Sequence, residues 1–349
     1  MLIATKQAAQ RFLWGAIALL TVVTGCSSNP LHTAPPTIQP AQPAVSPPVS
    51  QAPAGVIRPL SGQPLAAVYD NGIRRLAVLT PGADASAPSG ITVFDGPRTP
   101  ARVITLPAPA TALTCDGHGM AYLATRGGYF VVDLSAGSIG QVGVADAAGV
   151  EFTAIARRAD GKLVLGSAEG AVHILDSPSS GTARTANRIK IFARVDSLVT
   201  QGNTTVVLDR GQTSVTAVGA DGRVRQALRA GEGATTLAAD PLGLVLVADT
   251  RGGQLLVYGV DPLILRQAYP VRQAPYGLAG SPELAWVSQT AANVVIGYDL
   301  STGIPVEKVR YPTVQQPNSL AFDDASGTLY VVSGSGAGVQ AIEHAAGTP

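Results

Sequence analysis

Cysteine, histidine and charge are all scarce in this chain, and each shortage removes a class of chemistry. The 349 residues hold 2 cysteines, Cys26 and Cys115. If Cys26 is consumed by a modification, as argued below, Cys115 has no partner and no intramolecular disulfide is expected. Flanked by Leu113-Thr114 and Asp116-Gly117, Cys115 reads as a strand end running into a turn, where an unpaired thiol is a small buried hydrophobe. No Cys-x-x-Cys, His-Glu-x-x-His or Gly-x-Ser-x-Gly occurs, and the 4 histidines (His32, His118, His173 and His344) share no metal-ligand spacing. No metal and no cofactor is expected. Gly334, Gly336 and Gly338 are spaced like part of a dinucleotide loop, but no helix follows them. Charged residues make up 13% and the net charge is +1, so the basic stripe that nucleic acid requires is missing.

What is present begins with an export signal. Lys6 and Arg11 precede an apolar run from Phe12 to Val23, followed by Thr24-Gly25-Cys26. Those 12 residues match a secretory h-region and fall short of the roughly 17–25 that a membrane span needs. Val23-Thr24-Gly25-Cys26 resembles the lipobox of bacterial lipoproteins, with a branched apolar residue, two small residues and the obligatory Cys. The resemblance implies a diacylglycerol thioether on Cys26, cleavage after residue 25, and location on the outer face of the cell membrane. Membrane contact is expected through that lipid. Residues 26–54 carry Pro30, Pro35, Pro36, Pro40, Pro43, Pro47, Pro48 and Pro53 without hydrophobic period, and read as a stalk. Extended at about 3.1 Å per residue, it would hold the body up to roughly 85 Å from the bilayer. Thr33, Thr37 and Ser46 are places where such a stalk can carry sugars.

Residues 55–349 read as a repeat. A phrase made of a small residue, an apolar anchor, Asp/Gly punctuation and a Val/Leu-rich strand recurs at Ala67, Leu113, Ile155, Leu198, Leu237, Leu278 and Leu320. The spacing, near 42 residues, is that of four-stranded propeller blades. In the fifth unit, strands are expected at 244–248, 254–258 and 264–269; in the sixth, at 277–279, 284–288, 294–299 and 305–311. The seventh unit lacks its last strand, and Val56-Ile57-Arg58-Pro59 resembles that outer strand (compare Val309-Arg310-Tyr311-Pro312). The expected fold is all-β: a seven-bladed propeller of four-stranded blades, its ring closed by an N-terminal strand, which leaves no open sheet edge.

Tyr276-Gly277-Leu278-Ala279 and Leu329-Tyr330-Val331-Val332 look like phrases of the YVTN and NHL propeller classes. The chain as a whole, through Ile191-Phe192-Ala193-Arg194 to its end, resembles mycobacterial envelope lipoproteins. That resemblance implies a propeller body and brings no established activity.

Two sets of positions are expected around one mouth of the central channel. Two residues before each anchor lie Leu65, Thr111, Thr153, Asp196, Thr235, Tyr276 and Asn318. The loops between second and third strands add Arg126, Glu169, Asp209, Arg210, Asp249, Arg251 and Asn293. In a chain so poor in charge this is a candidate binding rim, although loops are also polar simply because they meet water. The reading is a non-catalytic binding or scaffold module for an envelope protein, peptide or glycan. The alternative, a hydrolase of the lactonase type, wants carboxylates and imidazoles clustered at the mouth, where Asp196 is the one acid of the first ring. A quinone-dependent dehydrogenase would want tryptophans in many blades, and beyond the signal there is Trp286 alone.

Overall fold

The computed structural model describes residues 36–347; the signal and Cys26 lie outside them. The described chain is all-β, with seven sheets of antiparallel strands arranged as the blades of a propeller. Their innermost strands are Ala66–Asp70, Ala112–Cys115, Phe152–Arg157, Ser197–Gln201, Ala234–Ala239, Pro275–Gly280 and Pro317–Asp323. Within each blade the chain meanders outward from that strand.

The repeat phrase has a local physical cause. Asp residues at the ends of strands accept backbone N–H bonds from residues two or three further on: Asp70 from Gly72, Asp133 from Ser135, Asp240 from Leu242, Asp299 from Ser301 and Asp323 from Ala325. These Asx turns reverse the chain at little cost. The Val/Leu-rich second and third strands are buried on both faces, as in Leu163–Ser167 and Ala171–Leu175, because each blade is sandwiched between two others. Outer strands are largely exposed, as in Val224–Arg229, and Thr185–Lys190 alternates between half-buried and exposed. Trp286 is fully buried between blades six and seven, stacked on Phe322 at 6.0 Å, with its indole N–H donated to Ser281 Oγ at 3.1 Å.

Ring closure follows the sequence expectation. Val56–Arg58 pairs antiparallel with Val339–Ile342, in the register Val56↔Ala341, Ile57↔Gln340 and Arg58↔Val339. The strands expected for the fifth and sixth blades are found within one or two residues of their anticipated ends. One feature departs from the repeat. Thr182–Ala183 adds a short parallel strand to the outer edge of Ile139–Val144, giving the second blade five strands. Cys115 ends its strand half-buried, its thiol donating to the Tyr69 carbonyl at 3.7 Å and pushed up to about 12 by burial. Gly334, Gly336 and Gly338 lie in the turn between the last two strands of the chain.

Candidate functional site

The innermost strands enclose a central cavity of about 530 Å³. Its wall is made of methyls and hydroxyls: Ala66, Ala67, Thr114, Ala154, Ser197, Thr236 and their neighbours, with Tyr69 as its one ionisable side chain. One mouth lies where the innermost strands begin, and there the loops between second and third strands also emerge.

Of the first expected ring, Leu65, Thr111, Thr235 and Asn318 line the cavity, and much of the ring is tied into the scaffold. Thr111 Oγ1 donates to the Phe152 carbonyl at 2.6 Å, and Thr153 Oγ1 to the Val195 carbonyl at 2.5 Å, each reaching the next blade. Thr235 Oγ1 shares a bond with Thr250 Oγ1 at 2.6 Å, which in turn donates to the Pro275 carbonyl. The Tyr276 carbonyl accepts the Thr236 hydroxyl. These are blade-to-blade staples, repeated because the repeat unit is. Leu65 is half exposed at 51%. Burial raises Asp196 above the usual carboxylate range; it accepts the Arg210 amide at 2.8 Å and pairs with Arg194 at 3.2 Å. Its role is to fix the loop that carries Arg210.

The second expected set divides in two. Asp209 and Asp249 are buried, and their carboxylates are spent on backbone amides. Asp209 accepts from Ala193 at 2.7 Å and Gln212 at 3.0 Å; Asp249 accepts from Gly233 at 2.8 Å and Gly252 at 3.0 Å. They hold neighbouring loops together and present nothing to a ligand. Arg126 is exposed and pairs through its backbone with Glu151. Glu169 lies 4.0 Å from Arg188 and Lys190.

Arg210, Arg251 and Asn293 already have an occupant. Residues 38–47 of the proline-rich segment lie extended across the loops of blades four to seven. Arg210 donates to the Ala41 carbonyl, Arg251 to Gln39 O at 2.6 Å, and Asn293 Nδ2 to Pro47 O at 2.8 Å. Gln316, which no sequence pattern marked, brackets the segment: its Nε2 donates to Ala44 O at 2.9 Å and its Oε1 accepts Ser46 N at 3.0 Å. The same amide group holds Asn318 Oδ1 at 3.0 Å. Gln315 donates to Ser46 O at 3.1 Å. Ser46 is 5% exposed; its hydroxyl donates to the Thr290 carbonyl at 2.5 Å and accepts the Gln316 amide at 3.0 Å. Ala41 is buried over Gly233, where an added Cβ would meet Arg251 Cβ at 2.8 Å and Ala41 Cβ at 3.0 Å.

This arrangement revises two expectations about the stalk. The part from residue 38 onward is bound to the ring and does not stand clear of it. Ser46 is not free to carry a sugar while it is docked, since its hydroxyl is enclosed and doubly bonded. Thr37 is exposed, and Thr33 and Cys26 lie outside the described residues. The chemistry of the groove suits its occupant. Prolines remove N–H donors and leave carbonyls in surplus, and the groove answers with donor side chains on five carbonyls, those of Gln39, Ala41, Ala44, Ser46 and Pro47.

No protein-family model matches the chain, and no curated protein does. Solved structures do match. A chain of the Mitotic Checkpoint Complex crystal structure aligns with a TM-score of 0.69 at 12% identity, over 90% of this chain and 99% of that one. A streptogramin B lyase structure gives 0.65 at 11% identity, covering 83% and 96%. Kuenenia stuttgartiensis hydrazine synthase gives 0.64 at 13% identity, covering 80% and 95%. Similarity this remote in sequence, to proteins of unrelated function, establishes the seven-bladed propeller fold and nothing finer.

Proposed function

We propose that the chain is an exported lipoprotein, anchored through Cys26 on the outer face of the cell membrane, whose propeller is a non-catalytic module that binds peptide segments of envelope proteins. The observation that carries the binding reading is the groove over blades four to seven, where loop side chains hold an extended segment largely by its backbone. Recognition of that kind needs donors at fixed spacing on a rigid scaffold, which a closed propeller supplies. The lipid reading rests on Val23-Thr24-Gly25-Cys26 after its apolar run. A lactonase-type hydrolase asks for a carboxylate or imidazole free to act at the mouth. Asp196, the acid of the first ring, is engaged by Arg194 and the Arg210 amide.

Two measurements test this. In cells given a labelled fatty acid, the wild-type chain should carry the label and sediment with membranes, and a Cys26→Ala chain should do neither. Photocrosslinkers at Arg126, Tyr276 and Asn318, outside the occupied groove or beside it, should capture specific envelope proteins. Capture no richer than from a position on the opposite face, such as Asp160, would remove the binding reading.

A further inference from the structure

The groove over blades four to seven holds part of its own chain. Several features mark it as a recognition site and set it apart from simple loop packing. It has two seats, five residues apart: a small-residue seat over Gly233 for Ala41, and a hydroxyl seat between Thr290 and Gln316 for Ser46. Between and around them, Arg251, Arg210, Gln316, Gln315 and Asn293 donate to successive carbonyls. The large apolar side chains of the segment are exposed, Ile38 at 41% and Val45 at 92%, while Pro43 and Ala44 are half-buried. Only three of its amides are engaged, those of Ile38, Ala44 and Ser46. None of residues 38–47 belongs to a core cluster of the ring; the chain joins the core at Ala54, whose amide bonds the Pro312 carbonyl, and pairs in the sheet from Val56.

We propose that this groove is a binding site for extended, uncharged, proline-rich segments of other proteins, and that residues 38–47 are its resident and exchangeable occupant. The proposal rests on the binding reading above and deepens it: it names the ligand class and makes the tethered segment a competitor. A ligand must have a small residue followed five positions later by serine, and prolines in place of the amides that the groove cannot satisfy. Because the resident is tethered, its effective concentration is on the order of millimolar. An incoming segment therefore binds the unmodified protein weakly and binds tightly once the resident is undocked. Any bulky or charged group on Ser46 would undock it, because the enclosed hydroxyl has no room for a substituent and a carboxylate cannot donate to the Thr290 carbonyl.

The test uses the full chain, a fluorescent synthetic peptide with the sequence of residues 36–49, and hydrogen exchange to read whether the resident segment is docked. The Ser46→Glu and Ala41→Trp chains should lose protection over residues 38–47 and take up the peptide at least tenfold more tightly than wild type. Adding Gln316→Ala to Ser46→Glu should cancel the gain. A peptide carrying Glu at the serine position should not bind any of them. Undocked variants that take up the peptide no better than wild type would overturn the proposal. So would a segment that stays protected in both variants, or chains that trade segments as dimers yet ignore the free peptide. Loss of peptide uptake with persistent rim crosslinking in cells would refute this site and leave the broader binding reading standing.

Discussion

At the scale of single residues, the groove depends on groups with little else to do. Gln316 is held in a left-handed conformation, φ 58°, which turns its side chain back across the segment and onto Asn318. Replacing it by alanine leaves the Ser46 amide and the Ala44 carbonyl without partners, at about 1 kcal/mol each. The expected result is faster exchange over residues 38–47 with the unfolding temperature of the ring unchanged. Gly233 works by size. A valine there collides with Arg251 and Ala41, so Gly233→Val should raise exchange chiefly at the Ile38 amide, at the blade-four end. His173 belongs to the core and to no site. Only 4% exposed, edge-on to Phe152 at 5.3 Å, it is pushed down to about 4, first by burial and then by the Arg188 cation. Its folded value lies below its unfolded one, so its stabilising contribution is complete above about pH 6.5 and is lost as pH falls through about 4. That contribution is on the order of 3 kcal/mol. Denaturant midpoints of a His173→Gln chain should fall less than those of wild type between pH 6.5 and 5. Parallel curves would refute the assignment.

At the scale of elements, most of the ring was legible in the sequence because each blade repeats the same turn chemistry and the same buried strands. Closure by Val56–Arg58 was readable too, since the seventh unit lacked one strand and these residues resemble the outer strand of the sixth. The rim was only half legible. An Asp that ends a strand before Arg or Thr reads the same whether it caps a neighbouring loop, as Asp209 and Asp249 do, or awaits a ligand; only the amides of Ala193 and Gly233 decide it. The docked segment was not legible. It is recognised by its carbonyls, which every residue has, so it leaves no periodicity and looks like any solvated proline-rich stalk. Segment and closing strand also differ in what they stabilise. A chain lacking residues 36–50 should unfold close to the wild-type temperature in calorimetry. One lacking residues 36–58 loses the fourth strand of the seventh blade and should unfold at a clearly lower temperature. Equal losses would mean that the segment, too, holds the ring shut.

For the whole molecule, docking shortens the tether. With the chain bound from Ile38 onward, only Cys26 to Thr37 remains between the proposed lipid and the ring. Fully extended at about 3.3–3.6 Å per residue, that length reaches no more than about 43 Å. It leaves the ring from the rim face over blade four, where the Ile38 amide bonds the Gly211 carbonyl at 2.8 Å. A lipid on Cys26, as proposed, would therefore draw on the rim face of the ring and not on its opposite face. A dye on cysteine introduced at Glu169, on the rim face, should be quenched by a headgroup acceptor more strongly than one at Asp160, on the opposite face. Cys115 will not compete for label near neutral pH, because burial keeps its thiol protonated.

The claim on which the rest depends is that residues 38–47 sit docked in a specific register. Residue-resolved amide exchange on the wild-type chain tests it most directly. The amides of Ile38, Ala44 and Ser46 have partners in the ring, and they should exchange at least tenfold more slowly than those of Gln39, Gln42 and Val45. Uniformly fast exchange from residue 37 to residue 46 would contradict the account and return the segment to a free stalk.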